Sequence, residues 1–232
     1  MNTLLLDTST NVLSIALSTD SSYEERLING NFSHSEDLLS EIKSLLGRAG
    51  LEIKDLELLI VTKGPGSFTG LRVGMASMKG FSSALSIPLV SVPTLDAIRE
   101  AVSVYDKAVV SVIDAKKKRF YISMHYGEEK IIEDRDGNPE DVIDEMRKYP
   151  EVLITGPDAM AFAEKVLAID PSLNAIVDAD APRNLSKAIL RLGERKYRQQ
   201  GADDIGEGPV YIRRSDAEEA LLKRIKEESH GM

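Results

Sequence analysis

The chain has 232 residues, which suits one large domain or two of about 100 residues and is enough to bury a proper core. It contains no cysteine, which excludes disulfides, thiolate catalysis and cysteine-ligated zinc. A net charge of -9 opposes a strong independent grip on nucleic acid, so any service to RNA calls for another protein to do the gripping.

Residues 1–6 run straight into a strand without a basic leader, and no apolar run approaches bilayer-spanning length; a cytoplasmic protein without membrane contact is expected. Three short strands are predicted near 3–7, 11–18 and 22–30, broken by Asp7-Thr8-Ser9-Thr10 and Thr19-Asp20-Ser21-Ser22. The turn Asp7, Thr8, Ser9 either holds a magnesium-bound phosphate or closes a hairpin as an Asx or Ser/Thr turn. Ser33-His34-Ser35-Glu36 has capping-box spacing, and Leu38, Leu39, Ile42, Leu45, Leu46 and Ala49 follow at helical intervals to Gly50. His34 falls in the first turn, where the dipole disfavours imidazolium, and reads as a neutral packing or interface group.

Leu58 to Gly74 reads as a buried strand running through a glycine-rich loop into a helix. Gly70 is followed by Leu71 and Arg72 where a Walker A loop needs Lys-Ser/Thr, and Gly64, Gly66 and Gly70 have one residue too many for a dinucleotide fingerprint. Two readings remain for Gly64, Gly66, Ser67 and Thr69: direct phosphate contact, or a strand turning into a closely packed helix. On the helix 69–85, Gly70, Gly74 and Ser77 form one small-residue face and Ala76, Gly80 and Ala84 another, which suits close approach of a second element from this chain or from a partner. A strand at 89–92 and a helix from 94 to about 104 complete a βββαβαβα order.

The order then restarts: strands at 108–114, 119–126 and 129–134, a helix at 139–147, a strand from 152, a helix at 158–167, a strand near 175–177 and a helix at 184–199. An acidic residue ends the first strand of each half (Asp7, Asp114), and Thr-Lys-Gly-Pro is echoed by Ile-Thr-Gly-Pro. A duplicated βββαβαβα chain, divided into 1–104 and 105–232, is similar to the actin, Hsp70 and sugar-kinase (ASKHA) two-domain α/β architecture. Lys116-Lys117-Lys118-Arg119, the basic run, is either a solvated hairpin tip or an RNA-phosphate contact. Residues 215–228 carry a capped amphipathic pattern, a helix docked on its own domain or offered to a partner.

Leu6-Asp7-Thr8-Ser9-Thr10, His34, the run Lys63 to Gly74, Pro88 to Leu95, Ile113-Asp114-Ala115 and Pro209-Val210-Tyr211-Ile212-Arg213 together resemble the TsaB (YeaZ) family. The resemblance implies a part in making threonylcarbamoyladenosine next to the anticodon of tRNAs that read codons beginning with A. It implies a non-catalytic partner of the paralogue TsaD, joined by the ATPase TsaE, a homodimer when alone, and tRNA met only through the complex. The pairing surface would be the first two helices, with His34, Leu38, Ile42, Gly70, Arg72, Gly74 and Ser77. Catalytic paralogues carry a His-x-x-x-His pair where this chain has Thr94 and Ile98, and His34, His125 and His230 lie far apart, so no catalytic residue and no metal site are expected. No cofactor is expected of this chain itself; ATP or ADP and magnesium belong to the assembled complex. The rivals are a glycoprotease-like peptidase and a nucleotide-binding module of the same fold class.

Overall fold

A computed structural model describes residues 1–29, 35–179 and 184–213. The first half lays down β1 (Thr3–Asp7), β2 (Val12–Ser18) and β3 (Tyr23–Asn29), then α1 (Ser35–Arg48), β4 (Leu58–Gly64), α2 (Phe68–Leu85), β5 (Leu89–Pro93) and α3 (Thr94–Ala101). The second repeats it with β6 (Ala108–Lys116), β7 (Arg119–Tyr126), β8 (Glu129–Gly137), α4 (Ile143–Met146), β9 (Val152–Thr155), α5 (Ala159–Ile169), β10 (Ala175–Val177) and α6 (Ser186–Gln200). The sheet orders β3-β2-β1-β4-β5 and β8-β7-β6-β9-β10 are the same topology, an antiparallel meander joined to parallel strands. The duplication expected from element order is therefore a duplication of fold.

Each sheet is covered on both faces, which is why strands such as β1 and β4 read as continuous apolar runs. Leu4, Leu6, Ile15, Leu59 and Val61 point to one side, where α1 and α2 bury Leu45, Leu46, Met75 and Met78. Leu5, Leu58, Ile60 and Val90 point to the other, where they meet Leu95 and Ile98 of α3 and Leu185, Ile189 and Leu190 of α6. The second sheet turns Val110, Val112, Ile122 and Ile154 towards Phe162 and Val166 of α5 and Met146 of α4. Its other face joins the α3–α6 layer through Ile113, Ala115 and Tyr121.

The restart at residue 105 marks the repeat, and elements of the second half also touch the first sheet. α6 packs on β1, β4 and β5 of the first sheet, with Gly193 so close to Ile60 that a Cβ there would stand 2.5 Å from Ile60 Cδ1. Glu100 of α3 ties the layer together through Arg191 (2.8 Å) and Arg195 (3.1 Å) of α6. Residues 201–213 then run back along the first half: Asp203 accepts from Ser91 N and Oγ, and Val210 N donates to Lys63 O at 2.7 Å. The predicted helix 139–147 is corrected by the structure. It is a 3-10 turn at Pro139–Asp141 followed by the single turn α4, because Asn138 and Asp141 cap each other and close the first turn on itself. The predicted helix 215–228 lies outside the described residues.

Candidate functional site

A cleft of about 790 Å³ opens between the two sheets, at the carboxyl ends of their first strands. Asp7, Ser9, Gly66, Ser67 and Phe68 form its wall in the first half; Asp114, Lys116, Lys117, Gly156 and Asp158 form it in the second. Asp7 ends β1 nearly buried, and its Oδ1 accepts from Ser9 N (2.9 Å), Ser9 Oγ (2.7 Å) and Thr62 Oγ1 (2.8 Å). Burial pushes the Asp7 carboxyl above its ordinary range, against the opposing pull of those three donors. Of the two readings of this turn, the geometry is that of the Asx turn: its donors are directed at Asp7 itself.

The glycine loop is likewise closed on its own chain. Ser67 N donates to Ser9 O at 2.8 Å, Ser67 Oγ caps α2 by accepting from Gly70 N at 3.2 Å, and Leu71 N is bound to Ser67 O. A Cβ at Gly66 would fall far inside contact with Ser9 O, one at Gly70 with Thr8 O, and one at Gly74 with Thr8 Oγ1. These glycines let the start of α2 lie directly on the β1–β2 turn, and the amides of Ser67, Gly70 and Leu71 are engaged within the chain. Gly64, at φ +106°, sits beneath Val210 O, and Gly156, at φ +116°, sits beneath Val112 O at the matching junction of the second half.

Of the residues expected on a partner surface, Leu38 and Ile42 turn inward while Arg72 is exposed. Leu38 and Ile42 are core side chains of α1, packed on β2 and β3, because the apolar stripe of an amphipathic helix goes to its own sheet first. Gly70 and Gly74 face Thr8, Ser77 is half-buried, and Arg72 donates to Tyr211 OH at 3.0 Å. Thr69 is exposed on the first turn of α2, and His34 lies outside the described residues. What α2 does expose is the other small-residue face, with Ala76, Gly80 and Ala84 open and nothing within 4 Å of a Cβ placed on Gly80.

Thr94 and Ile98, the positions that the resemblance sets against paired imidazoles, are fully buried in the α3–α6 layer. A hydroxyl and an alkyl group in a closed core do not fit a metal ion. No group of three or more His, Asp or Glu side chains that could hold a metal occurs among the described residues. His125 of β7 is buried with its Nε2 3.8 Å from Asp96 Oδ1. Burial, with help from the Lys130 and Arg99 charges and against that of Asp96, pulls it down to about 4, so it is neutral. Lys130 bridges Asp96 and Asp134, each at 2.7 Å, and this polar cluster joins α3 to β7 and β8 away from the cleft.

Three features of the cleft were not read from the sequence. Asp158 begins α5 and its Oδ2 accepts from Asp114 N at 2.7 Å, tying the second junction as Ser67 ties the first; the repeated Gly-Pro could have located it. Tyr211 stacks on Phe68 with ring centroids 4.9 Å apart and 5° between planes, and Arg213 donates to Ala115 O at 3.1 Å, so residues 210–213 strap the glycine loop to the second half. Lys116, Lys117 and Lys118 hold φ of 63°, 53° and 65°, a left-handed run without a glycine at the tip of the β6–β7 hairpin.

The sequence matches the family described as TsaD, tRNA N6-adenosine threonylcarbamoyltransferase, over residues 31–183. It is 26% identical over 232 residues to the tRNA threonylcarbamoyladenosine biosynthesis protein TsaB of Bacillus subtilis, covering 97% of this chain and all of that one. It is 28% identical over 139 residues to TsaB of Escherichia coli, covering 57% and 58% of the two chains. Among solved structures, YeaZ from Pseudomonas aeruginosa superposes with a TM-score of 0.75 at 23% identity over 90% of this chain and 99% of that chain. MreB5 of Spiroplasma citri bound to ADP does so with a TM-score of 0.52 at 9% identity over 86% and 99%. These likenesses establish the fold, a duplicated α/β arrangement of two mixed sheets shared with YeaZ and MreB5.

Proposed function

We propose a function from one premise: this chain belongs to the tRNA N6-adenosine threonylcarbamoyltransferase family, on its TsaB (YeaZ) branch, and takes part in tRNA threonylcarbamoyladenosine biosynthesis. Its part is that of a non-catalytic subunit that binds the catalytic paralogue TsaD, with the ATPase TsaE joining the pair, in the cytoplasm. The observation that carries the reading is the burial of Thr94 and Ile98 in the α3–α6 layer, at the positions of the paralogue's imidazole pair. A helix packed between two sheets on that face presents no ligand to a metal and no group to a substrate. The engaged amides of the glycine loop support a second element of the reading: the chain needs no nucleotide of its own, and ATP or ADP with magnesium enters through the assembled complex.

Pairing is assigned to the outer faces of α1 and α2, with the same surface closing a homodimer when the paralogue is absent. Leu39 and Leu85 are exposed there, and the open Ala76–Gly80–Ala84 stripe allows a second helix close approach. The test is a reconstituted reaction with carbamoyl-adenylate donor, tRNA, paralogue and ATPase. Modification should require this chain and should not occur with this chain in place of the paralogue. Full modification without it, or any modification by it alone, would overturn the proposal.

A further inference from the structure

We infer that the cleft between the two sheets takes its ligand from its own chain: residues 215–228 dock across its mouth through the apolar stripe Ala217, Leu221, Leu222 and Ile225. The first ground is the position of Arg213, where the described residues end. Val210 N is held by Lys63 O at 2.7 Å, Tyr211 is stacked on Phe68, and Arg213 donates to Ala115 O at 3.1 Å, so residues 210–213 bring the chain to the cleft wall, which Arg213 itself lines. A segment tethered this closely meets the cleft at an effective concentration of about millimolar, so a modest contact energy fills it.

The second ground is what the cleft leaves uncovered. Met160, on the first turn of α5, is 51% exposed, Pro157 is exposed and Phe68 is half-buried, and all three line the cleft. Apolar groups gathered at one opening suit an apolar face. A ligand of a single charge, such as a polyphosphate, is a poorer match, because Asp114, Asp158 and Asp178 line the same walls as Lys116 and Lys117. Residues 215–228 carry both signs as well. At helical spacing Arg224 follows Leu221 by three positions and Lys226 follows Leu222 by four, which sets a cation on each flank of the stripe and leaves Glu227 on the opposite side.

The chain has no cysteine, so introduced pairs report without background. In the full chain, Met160→Cys is combined in turn with Leu222→Cys, Ile225→Cys and Glu227→Cys, and disulfide formation within one molecule is followed under mild oxidant on non-reducing gels. The two stripe positions should close about tenfold faster than Glu227→Cys, which shares their tether but faces away. With Met160→Cys as the single thiol, adding Leu221→Glu and Leu222→Glu should raise the rate of maleimide labelling about tenfold, because a charged stripe leaves the apolar opening. An unchanged melting temperature in that variant shows that the rest of the fold is kept, and the disulfide series does not depend on it. Equal closing rates at the three positions would overturn the inference, as would disulfides that form only between two molecules. So would labelling that ATP with magnesium or the paralogue slows but the glutamates leave unaltered, which would give the cleft to that ligand instead. None of these readouts requires tRNA modification, so they stand or fall apart from the function proposed above.

Discussion

At the scale of single residues, the buried turn at Asp7 makes two predictions. A carboxyl whose folded pKa lies above its ordinary value of 3.8 favours the fold in its protonated form, so its contribution is most favourable below that pH and is lost as pH rises through the folded pKa. Asp7→Asn keeps an acceptor for Ser9 and Thr62 and removes the charge; it should be more stable than Asp7 at pH 7 in urea unfolding, with the gain shrinking towards pH 4. It should also leave modification in the reconstituted reaction near the unsubstituted rate, since no bond-making step is assigned to this carboxyl. Gly66→Ala places a methyl on the carbonyl of Ser9, a backbone atom held by Ser67 N, and should cost about 2–3 kcal/mol. The opposite sign holds for His125. It stays neutral in the fold down to about 4 while the unfolded chain protonates near 6.5, so stability should fall as pH drops from 6.5 to 4, and His125→Gln should flatten that slope.

At the scale of elements, α6 is positioned by Gly193 against Ile60, and the pair makes a test. Alanine at 193 would gain about 1 kcal/mol of helix propensity on an exposed surface, but here three side-chain atoms of Ile60 lie 2.5 to 3.0 Å from the new Cβ. Gly193→Ala should therefore destabilise by about 1–2 kcal/mol, and Ile60→Val should recover part of the loss in the double variant, read by thermal unfolding. Strands, long helices and the repeat were legible because apolar period and Gly-Pro punctuation are local in sequence. The capped Ser67 was legible for the same reason. Residues 139–147 were not, since the reciprocal capping of Asn138 and Asp141 competes with helix propensity over a short span. Nor were the roles of Gly70 and Gly74: a small-residue face states that something comes close, and only the register of β1 shows that it is Thr8. Tyr211 on Phe68 joins residues 143 positions apart, beyond the reach of any periodicity.

At the scale of the whole molecule, the proposed assembly surface is separate from the core, so substitutions can distinguish the two. Ala76→Arg adds a charge to an exposed position and should leave the fold intact while weakening self-association and pairing with the paralogue by several kcal/mol, measured by sedimentation. Gly74→Leu drives a large side chain into Thr8 and should lower stability before it affects association. If Ala76→Arg pairs with unchanged affinity, the contact lies on another face. No helix among the described residues is long and apolar enough to cross a membrane.

The return of α6 and of residues 201–213 to the first sheet has a consequence for biosynthesis. During translation the first sheet emerges early, but the covering for Leu5, Ile60 and Val90 is supplied in part by Leu185, Ile189 and Leu190, and the brace on the glycine loop by Val210 and Tyr211. The nascent N-terminal half therefore leaves the ribosome with one side of its sheet incompletely sheltered, and its hold on native structure waits for the last stretch of chain to arrive. A ribosome stalled after residue 104 should display a protease-sensitive chain, and one stalled with residue 213 clear of the exit tunnel should display a resistant one.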